Sequence, residues 1–142
     1  LTTMLGFAPG PLEPRLVVPA TAVDAAAAQL RARGWDGRAP LVAIAPGAAY
    51  GGAKKWPAAS FAATLDLLAA DGLRAVIVGA AADAAAAADV RAALRPSSGS
   101  GSIDLTGQTD LVTLAGVLAQ CRALVTNDSG AMHVAAALGV HV

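Results

Sequence analysis

The segment LVAIAPGAAYGGAKKWPAASFAATLDLLAADG, residues 41–72, decides the fold class of this chain. Its first five residues are apolar and partly β-branched, with proline on either side, a pattern typical of a strand that is buried on both faces. A glycine-rich loop follows, and Pro57 then precedes an alanine- and leucine-rich run that stops at Gly72. The segment therefore predicts a strand over 41–45, a loop and a helix.

The same unit of strand, loop and helix recurs three more times toward the carboxyl end of the chain. The predicted strands lie in RAVIVG, SIDLTG and RALVTND, and the predicted helices in AADAAAAADVRAALR, DLVTLAGVLAQC and SGAMHVAAALG. Strands that alternate with helices form a parallel sheet with right-handed crossovers. We therefore predict a Rossmann-like α/β fold, with helices on both faces of the sheet.

The amino-terminal residues have a different pattern. Residues 1–20 hold four prolines and two glycines, which indicates a linker or domain edge and not a long helix. From Thr21 onward the sequence predicts a short helix, with Thr21 as its N-cap, Asp24 three positions later and Gly34 as its stop. Residues 21–142 are then expected to form the Rossmann-like domain.

The two ends of the chain predict a fragment of a longer protein. The first residue is not methionine, and the last two, His141 and Val142, resemble the start of another strand. We therefore expect a domain that is truncated at its carboxyl end.

Charge and cysteine content argue against several classes of protein. Ten Lys and Arg residues balance ten Asp and Glu residues, so there is no basic excess for sequence-independent binding of nucleic acid. The single cysteine, Cys121, cannot form an internal disulfide and favours a reduced, cytoplasmic setting. No stretch approaches the roughly 20 apolar residues of a membrane span, and we expect a soluble domain.

Ligands of open α/β sheets bind beyond the carboxyl ends of the strands, where loops and helix N-termini expose backbone amides. Four loops occupy such positions here, at 46–56, 79–83, 106–110 and 127–130. The sequence therefore predicts that a ligand site is built from these loops.

The first of these loops, 46–56, combines glycines, an aromatic hydroxyl and two cations: Gly47, Gly51, Gly52, Tyr50, Lys54 and Lys55. It matches neither GxxxxGK[ST] nor GxGxxG, which disfavours a P-loop ATPase and a dinucleotide-dependent dehydrogenase. The lysines indicate either a phosphate site or a solvated pair at a helix entrance, and the pattern leaves both open.

The last loop, in TNDSGAMH at 126–133, places polar residues directly after an apolar strand. Asp128 or Ser129 can cap the next helix, Gly130 allows a ligand close to the first-turn amides, and His133 lies one turn later. Plain capping with a half-buried His133 is the alternative. Ser129 lies outside a G-x-S-x-G motif, which disfavours a hydrolase, and the ligands for a metal are too few.

Three motifs in order, PGAAYGGAKKWP, DLTGQTDL at 104–111 and TNDSGAMHVAAALG, carry a resemblance. From about Val42 to its end, the chain resembles the ADP-heptose:lipopolysaccharide heptosyltransferases of glycosyltransferase family 9. This resemblance implies a GT-B enzyme, in which two Rossmann-like halves face each other. The amino-terminal half would hold the acceptor, and this chain would be the end of the linker plus most of the carboxy-terminal, donor-binding half.

The resemblance also implies roles for individual residues. Lys54 would pair with the donor diphosphate and offset the charge that grows on the ADP leaving group, while Asp128 would accept hydrogen bonds from heptose hydroxyls. The amides of Ser129 and Gly130 would face the diphosphate. The supporting positions are Ala48, Tyr50 and Gly51 in the first loop, Asp83 near the ribose, Thr106 and Gly107 beside the adenosine, and His133 behind the diphosphate contact.

Two departures from the family pattern are mild: Asp110 replaces a common serine that also caps a helix, and Ala131 replaces a common proline. The family's proposed general base is an aspartate of the amino-terminal half, so no residue here takes that role. We therefore expect this chain to bind the donor without turnover.

The implied reaction is transfer of L-glycero-D-manno-heptose from ADP-heptose to the inner core of lipopolysaccharide, with inversion at the anomeric carbon. The acceptor would be the lipid A–core oligosaccharide, and the enzyme would be cytoplasmic and peripheral to the inner membrane. No cofactor or metal is expected. The alternatives are a family 9 enzyme with another nucleotide sugar, and a nucleotide-binding module without catalysis.

Overall fold

The computed structural model describes residues 4, 6, 13–48, 55–95 and 101–142 of the chain. The elements in chain order are α1 (Ala20–Ala32), β1 (Leu41–Ala45), α2 (Ala58–Ala70), β2 (Arg74–Ile77), a 3₁₀ turn (Ala81–Asp83), α3 (Ala84–Ala93), β3 (Ile103–Asp104), α4 (Leu111–Leu118), β4 (Cys121–Thr126) and α5 (Gly130–Ala137). The predicted alternation of strands and helices is confirmed.

The strands form one sheet in the order β3-β2-β1-β4, and every pairing is parallel. Val42 of the central strand β1 pairs with Ala75 of β2 on one side and with Ala123 of β4 on the other. The chain leaves β1 toward β2 and β3 and then crosses back to place β4 beside β1. Such a reversal of strand order opens a crevice at the carboxyl ends of the two strands that flank it.

Helices cover both faces of the sheet, as predicted. Alternate residues of β1 point to opposite sides, because side chains alternate along a strand. Leu41 and Ala43 join the core cluster that includes buried residues of α1, α4 and α5, whereas Ile44 packs with Phe61 of α2 and Val90 of α3. All five residues of β1 are buried, so this strand is the rigid centre from which the loops at its carboxyl end extend.

Helix α1 begins two residues earlier than predicted, and the predicted Thr21 cap is wrong. Pro19 occupies the N-cap position, and its carbonyl accepts hydrogen bonds from the amides of Ala22 and Val23. Thr21 therefore lies inside the first turn, because the extended backbone of Pro19 already starts the helix there. The predicted stop is sound, since Gly34 has a φ of +91° that favours glycine.

The carboxyl-terminal residues lie beside the outer edge of β4. His141 forms an isolated parallel bridge with Ala123, and the amide of Leu124 donates to the His141 carbonyl at 2.8 Å. The strand-like start that the sequence predicts at this end is thus present as a single bridge. Across the described ranges, no helix combines the length and apolar character needed to cross a bilayer.

Candidate functional site

A cavity of about 600 Å³ opens at the carboxyl edge of the sheet, a size that is ordinary for a small-molecule site. All four loops that follow the strands contribute to its wall. The polar and glycine positions among its lining residues are Gly47 after β1, Gly79 and Asp83 after β2, Thr109 and Asp110 after β3, and Ser129 and Gly130 after β4. The structure therefore brings together the loops that the sequence identified separately.

Asp83 places a carboxylate in the wall of this cavity. Its Oδ2 accepts a hydrogen bond from the amide of Ala80 at 2.9 Å, which closes the 3₁₀ turn after β2. A Cβ atom added to Gly47 would lie 2.2 Å from Oδ1 of Asp83, and one added to Gly79 would lie 3.0 Å from Oδ2. The two glycines thus leave the space that the carboxylate occupies, where it can accept hydrogen bonds from ligand hydroxyls.

Asp110 caps helix α4 at the cavity, as predicted. Its Oδ1 accepts a hydrogen bond from the amide of Thr113 at 2.7 Å. Hydrogen bonding from Thr113 to the charged form holds the pKa of the Asp110 carboxyl below its ordinary value. Asp110 is therefore an anion at neutral pH whose first task is to start α4.

Thr106 and Gly107 belong to the turn that follows β3. The amide of Thr106 donates to Oδ1 of Asp104 at 2.9 Å, and the amide of Gly107 donates to the Gly79 carbonyl at 2.9 Å. Gly107 has a φ of +71° and packs against Ala81, so the turn needs glycine there for conformation and for space. The Thr106 hydroxyl is buried and has no hydrogen-bond partner within the described ranges.

Arg33, at the C-terminal end of helix α1, also holds this turn. The Arg33 guanidinium donates to the Asp104 carbonyl at 3.0 Å and also to the side chain of Gln108. Arg91 of α3 lies 3.3 Å from the Asp104 carboxylate. The loop between β3 and α4 is therefore held by residues from two helices on opposite faces of the sheet.

Helix α5 begins at the cavity, and Ser129 occupies its N-cap position. The Ser129 hydroxyl makes no side-chain cap but lies 2.9 Å from the hydroxyl of Thr126. Of the two predicted cap residues, Asp128 and Ser129, it is Ser129 that holds the N-cap position, but its hydroxyl is engaged with the strand end and not with the helix amides. Ser129 and Gly130 line the cavity, so the first turn of α5 presents its positive end to a ligand there.

Asn127 joins the last loop to the first. It is 6 % exposed and is the one buried polar residue in the described part of the chain. Its Nδ2 donates to the Pro46 carbonyl at 2.8 Å, and its Oδ1 accepts from the amide of Trp56 at 2.9 Å. One side chain thus holds both ends of the loop between β1 and α2.

The structure places the predicted site residues in three groups. Ala48, Asp83, Ser129 and Gly130 line the cavity. Thr106, Gly107, Asp128 and His133 are described but do not belong to its lining, and Asp128 and His133 are exposed on the last loop and on α5. Tyr50, Gly51 and Lys54 lie outside the described residues, so the approach of Lys54 to Asp128 stays a prediction.

Sequence reasoning missed two features of the site. Leu111 and Leu114 of α4 line the cavity together with Val134 of α5 and give it an apolar wall. Their positions one turn apart, directly after the Asp110 cap, are the signal that could have found them. The role of Asn127 in joining the two loops had a weaker signal in the sequence, which is a single amide side chain directly after a buried strand. Over the described ranges, no three His, Cys, Asp or Glu side chains are grouped so as to hold a metal ion.

Comparison with known proteins identifies the family. The model of glycosyltransferase family 9 (heptosyltransferase) matches residues 4–142. The chain belongs to this family. Family 9 membership agrees with the resemblance that the three sequence motifs carry.

Curated relatives of this family 9 chain are heptosyltransferases. Lipooligosaccharide heptosyltransferase 2 of Haemophilus ducreyi is 41 % identical over 99 residues, which cover 70 % of this chain and 28 % of the relative. Lipopolysaccharide heptosyltransferase 2 of Escherichia coli K12 is 40 % identical over the same length and with the same coverage. The chain thus spans less than a third of the length of these relatives.

Solved structures of family 9 share the fold. The ADP-heptose LPS heptosyltransferase II of E. coli superposes with a TM-score of 0.81 at 35 % identity, covering 92 % of this chain and 39 % of that one. The family 9 glycosyltransferase of Veillonella parvula gives a TM-score of 0.80 at 28 % identity, covering 89 % of this chain and 35 % of that one.

Proposed function

We propose that this family 9 chain is the donor-binding part of an inverting heptosyltransferase. The donor is ADP-heptose, and the sugar transferred to the inner core of lipopolysaccharide is L-glycero-D-manno-heptose. The observation that carries this proposal is the cavity at the carboxyl edge of the sheet, where all four loops meet beside the first turn of α5.

The position of the diphosphate follows from the electrostatics of that edge. The unpaired amides in the first turn of a helix and its dipole attract anions. Ser129 and Gly130 lie in the cavity wall, and Gly130 has open space where a Cβ would be, so a phosphate oxygen can approach the backbone there. The diphosphate is therefore assigned to this end of the cavity.

The nucleoside is assigned to the apolar part of the cavity wall and to the turn after β2. Leu111, Leu114 and Val134 offer apolar contact to a purine face. The Asp83 carboxylate can accept hydrogen bonds from ribose hydroxyls.

The chemical step assigned to this half is stabilisation of the leaving group. As the bond between heptose and ADP breaks, negative charge grows on the diphosphate, and Lys54 and the α5 amides offset it. Asp128 is exposed in the loop between β4 and α5, and we assign it to hydrogen bonding with the heptose hydroxyls.

The rest of the reaction belongs to the GT-B partner half. An aspartate there would deprotonate the acceptor hydroxyl on the lipid A–core oligosaccharide, so the chain alone binds the donor and does not turn over. The whole enzyme would act in the cytoplasm at the inner membrane surface.

Calorimetric titration of the full-length protein tests the choice of donor. We expect ADP-heptose to bind more tightly than UDP- or GDP-sugars, and heptose transfer to release ADP. Tighter binding of a UDP-sugar would favour another family 9 glycosyltransferase, and donor binding without any transfer would favour a nucleotide-binding module.

A further inference from the structure

The loop between β1 and α2 enters the donor cavity through Gly47 and Ala48, and both line its wall. The two residues follow directly on a strand that is buried along its whole length. The peptide groups of Gly47 and Ala48 can turn either carbonyl oxygens or amide N–H groups toward a ligand. Carbonyl oxygens that face the ligand would repel an anion, whereas amide N–H groups would attract it.

Asn127 keeps the carbonyl oxygens of this segment turned toward itself through hydrogen bonds. Its Nδ2 donates to the Pro46 carbonyl at 2.8 Å and makes a longer contact of 3.5 Å with the Gly47 carbonyl. In a trans peptide the C=O and N–H groups point to opposite sides of the chain. The amides of Gly47 and Ala48, which share those peptide planes, therefore point away from Asn127.

The far end of the loop is held by the same side chain. Oδ1 of Asn127 accepts from the amide of Trp56, and the Trp56 ring packs edge-on against the buried Phe61 of α2. The strand end beneath is also tied to β4, because the Ala45 carbonyl accepts from the amide of Asn127 at 3.4 Å and lies 3.2 Å from the Thr126 hydroxyl. Both ends of the loop are thus tied to the end of β4.

We infer that Asn127 is a positioning residue that keeps the backbone donors of Gly47 and Ala48 turned toward the donor diphosphate. This inference rests on the proposed function, because it assigns the cavity to a nucleoside diphosphate. A buried amide suits the task, since it offers two donors and an acceptor without placing a charge beside the phosphates. Its burial shields these hydrogen bonds from competition with water.

The test compares binding of ADP and of adenosine to the full-length protein. Asn127→Leu keeps the approximate size of the side chain but removes all of its hydrogen bonds, and Asn127→Asp removes only the Nδ2 donors. We expect ADP affinity to fall about tenfold or more in both variants, the scale of one lost hydrogen bond to a charged group, while adenosine affinity stays within about twofold. Asn127→Leu introduces no charge, so a loss shared by both variants reports the missing hydrogen bonds and not the buried charge of Asn127→Asp.

Asp36→Ala is the matched control. Asp36 accepts hydrogen bonds from the amides of Arg38 and Ala39 in the turn before β1, at the opposite edge of the sheet. This variant also loses a bracing side chain, but its binding of ADP should equal that of the wild type.

A second test uses only the wild-type protein, so its outcome does not depend on whether a variant folds. The amide NMR signals of Gly47 and Ala48 should shift clearly more with ADP than with adenosine. Unchanged signals with bound ADP, or Asn127 variants that bind ADP as the wild type does, would overturn the positioning role. Loss of ADP and adenosine affinity in equal measure would also overturn it. If the wild type binds no ADP at all, the proposed function itself fails.

Discussion

The carboxylate of Asp83 lies against the backbone of Gly47, so close that a Cβ atom there would be 2.2 Å from Oδ1. Gly47→Ala should push this carboxylate aside and break its hydrogen bond with the amide of Ala80. We expect a loss of about 1–3 kcal/mol in the free energy of unfolding, the usual cost of overpacking. Urea denaturation of the variant and the wild type measures it.

A double-mutant cycle isolates this contact. In an Asp83→Ala background the added methyl group at Gly47 meets no carboxylate, so the cost of Gly47→Ala should nearly vanish. Gly79→Ala, with its longer 3.0 Å approach, should cost less than Gly47→Ala. Equal costs of Gly47→Ala in both backgrounds would show that the crowding comes from somewhere else.

Lys54→Ala in the full-length enzyme should lower the rate of heptose transfer. The predicted loss of transition-state stabilisation is about 2 to 4 kcal/mol, by analogy with other electrostatic donors. Steady-state kinetics with ADP-heptose measure it. Arg122→Ala removes a cation from the exposed amino-terminal part of β4 and should leave the rate unchanged. Normal turnover of Lys54→Ala would reduce Lys54 to a solvated surface charge.

Asp128→Asn should weaken binding of ADP-heptose more than binding of ADP. The substitution keeps the size of the side chain but exchanges one acceptor oxygen for a donor, which affects hydroxyl groups of the sugar first. Titration of both ligands into the variant measures the difference. An equal loss for the two ligands would assign Asp128 to capping of the loop backbone.

Cys121 should resist alkylation in the folded protein. Burial raises the pKa of its thiol to about 12. At pH 8 only about one thiol in ten thousand is then the reactive thiolate, so labelling must wait for unfolding. Rates of reaction with a thiol reagent, with and without urea, measure this protection. Fast labelling without urea would show that β4 opens readily.

The same pKa shift predicts a loss of stability at high pH. The unfolded thiol loses its proton near its ordinary pKa of 9.0, whereas the folded one keeps it up to about 12. The unfolded state therefore binds fewer protons in this interval, and the contribution of Cys121 is complete below pH 9 and lost as pH rises toward 12. Cys121→Ala should lack this part of the pH dependence in urea unfolding.

The fold could be predicted because its signals are local. β1 matches its predicted bounds of Leu41–Ala45, since an apolar β-branched run between prolines has few other structures available. The start of α1 differed because the extended backbone of Pro19 begins the helix two residues before the position that Thr21 predicts.

The site was predictable to the level of loops and less so for side chains. Parallel topology brings the four strand ends together whatever the loops contain, and Asp83, Ser129 and Gly130 accordingly line the cavity. The bridge from Asn127 to Pro46 joins residues that are 81 positions apart. Nothing in the spacing of the sequence records such a contact, which exists only because β4 pairs with β1.

A structure of the full-length protein with bound ADP would locate the diphosphate. We expect the diphosphate in the cavity at the carboxyl edge, within hydrogen-bond distance of the amides of Ser129 and Gly130 and of the Lys54 side chain. ADP bound elsewhere on the protein, or with its diphosphate turned away from the start of α5, would contradict it.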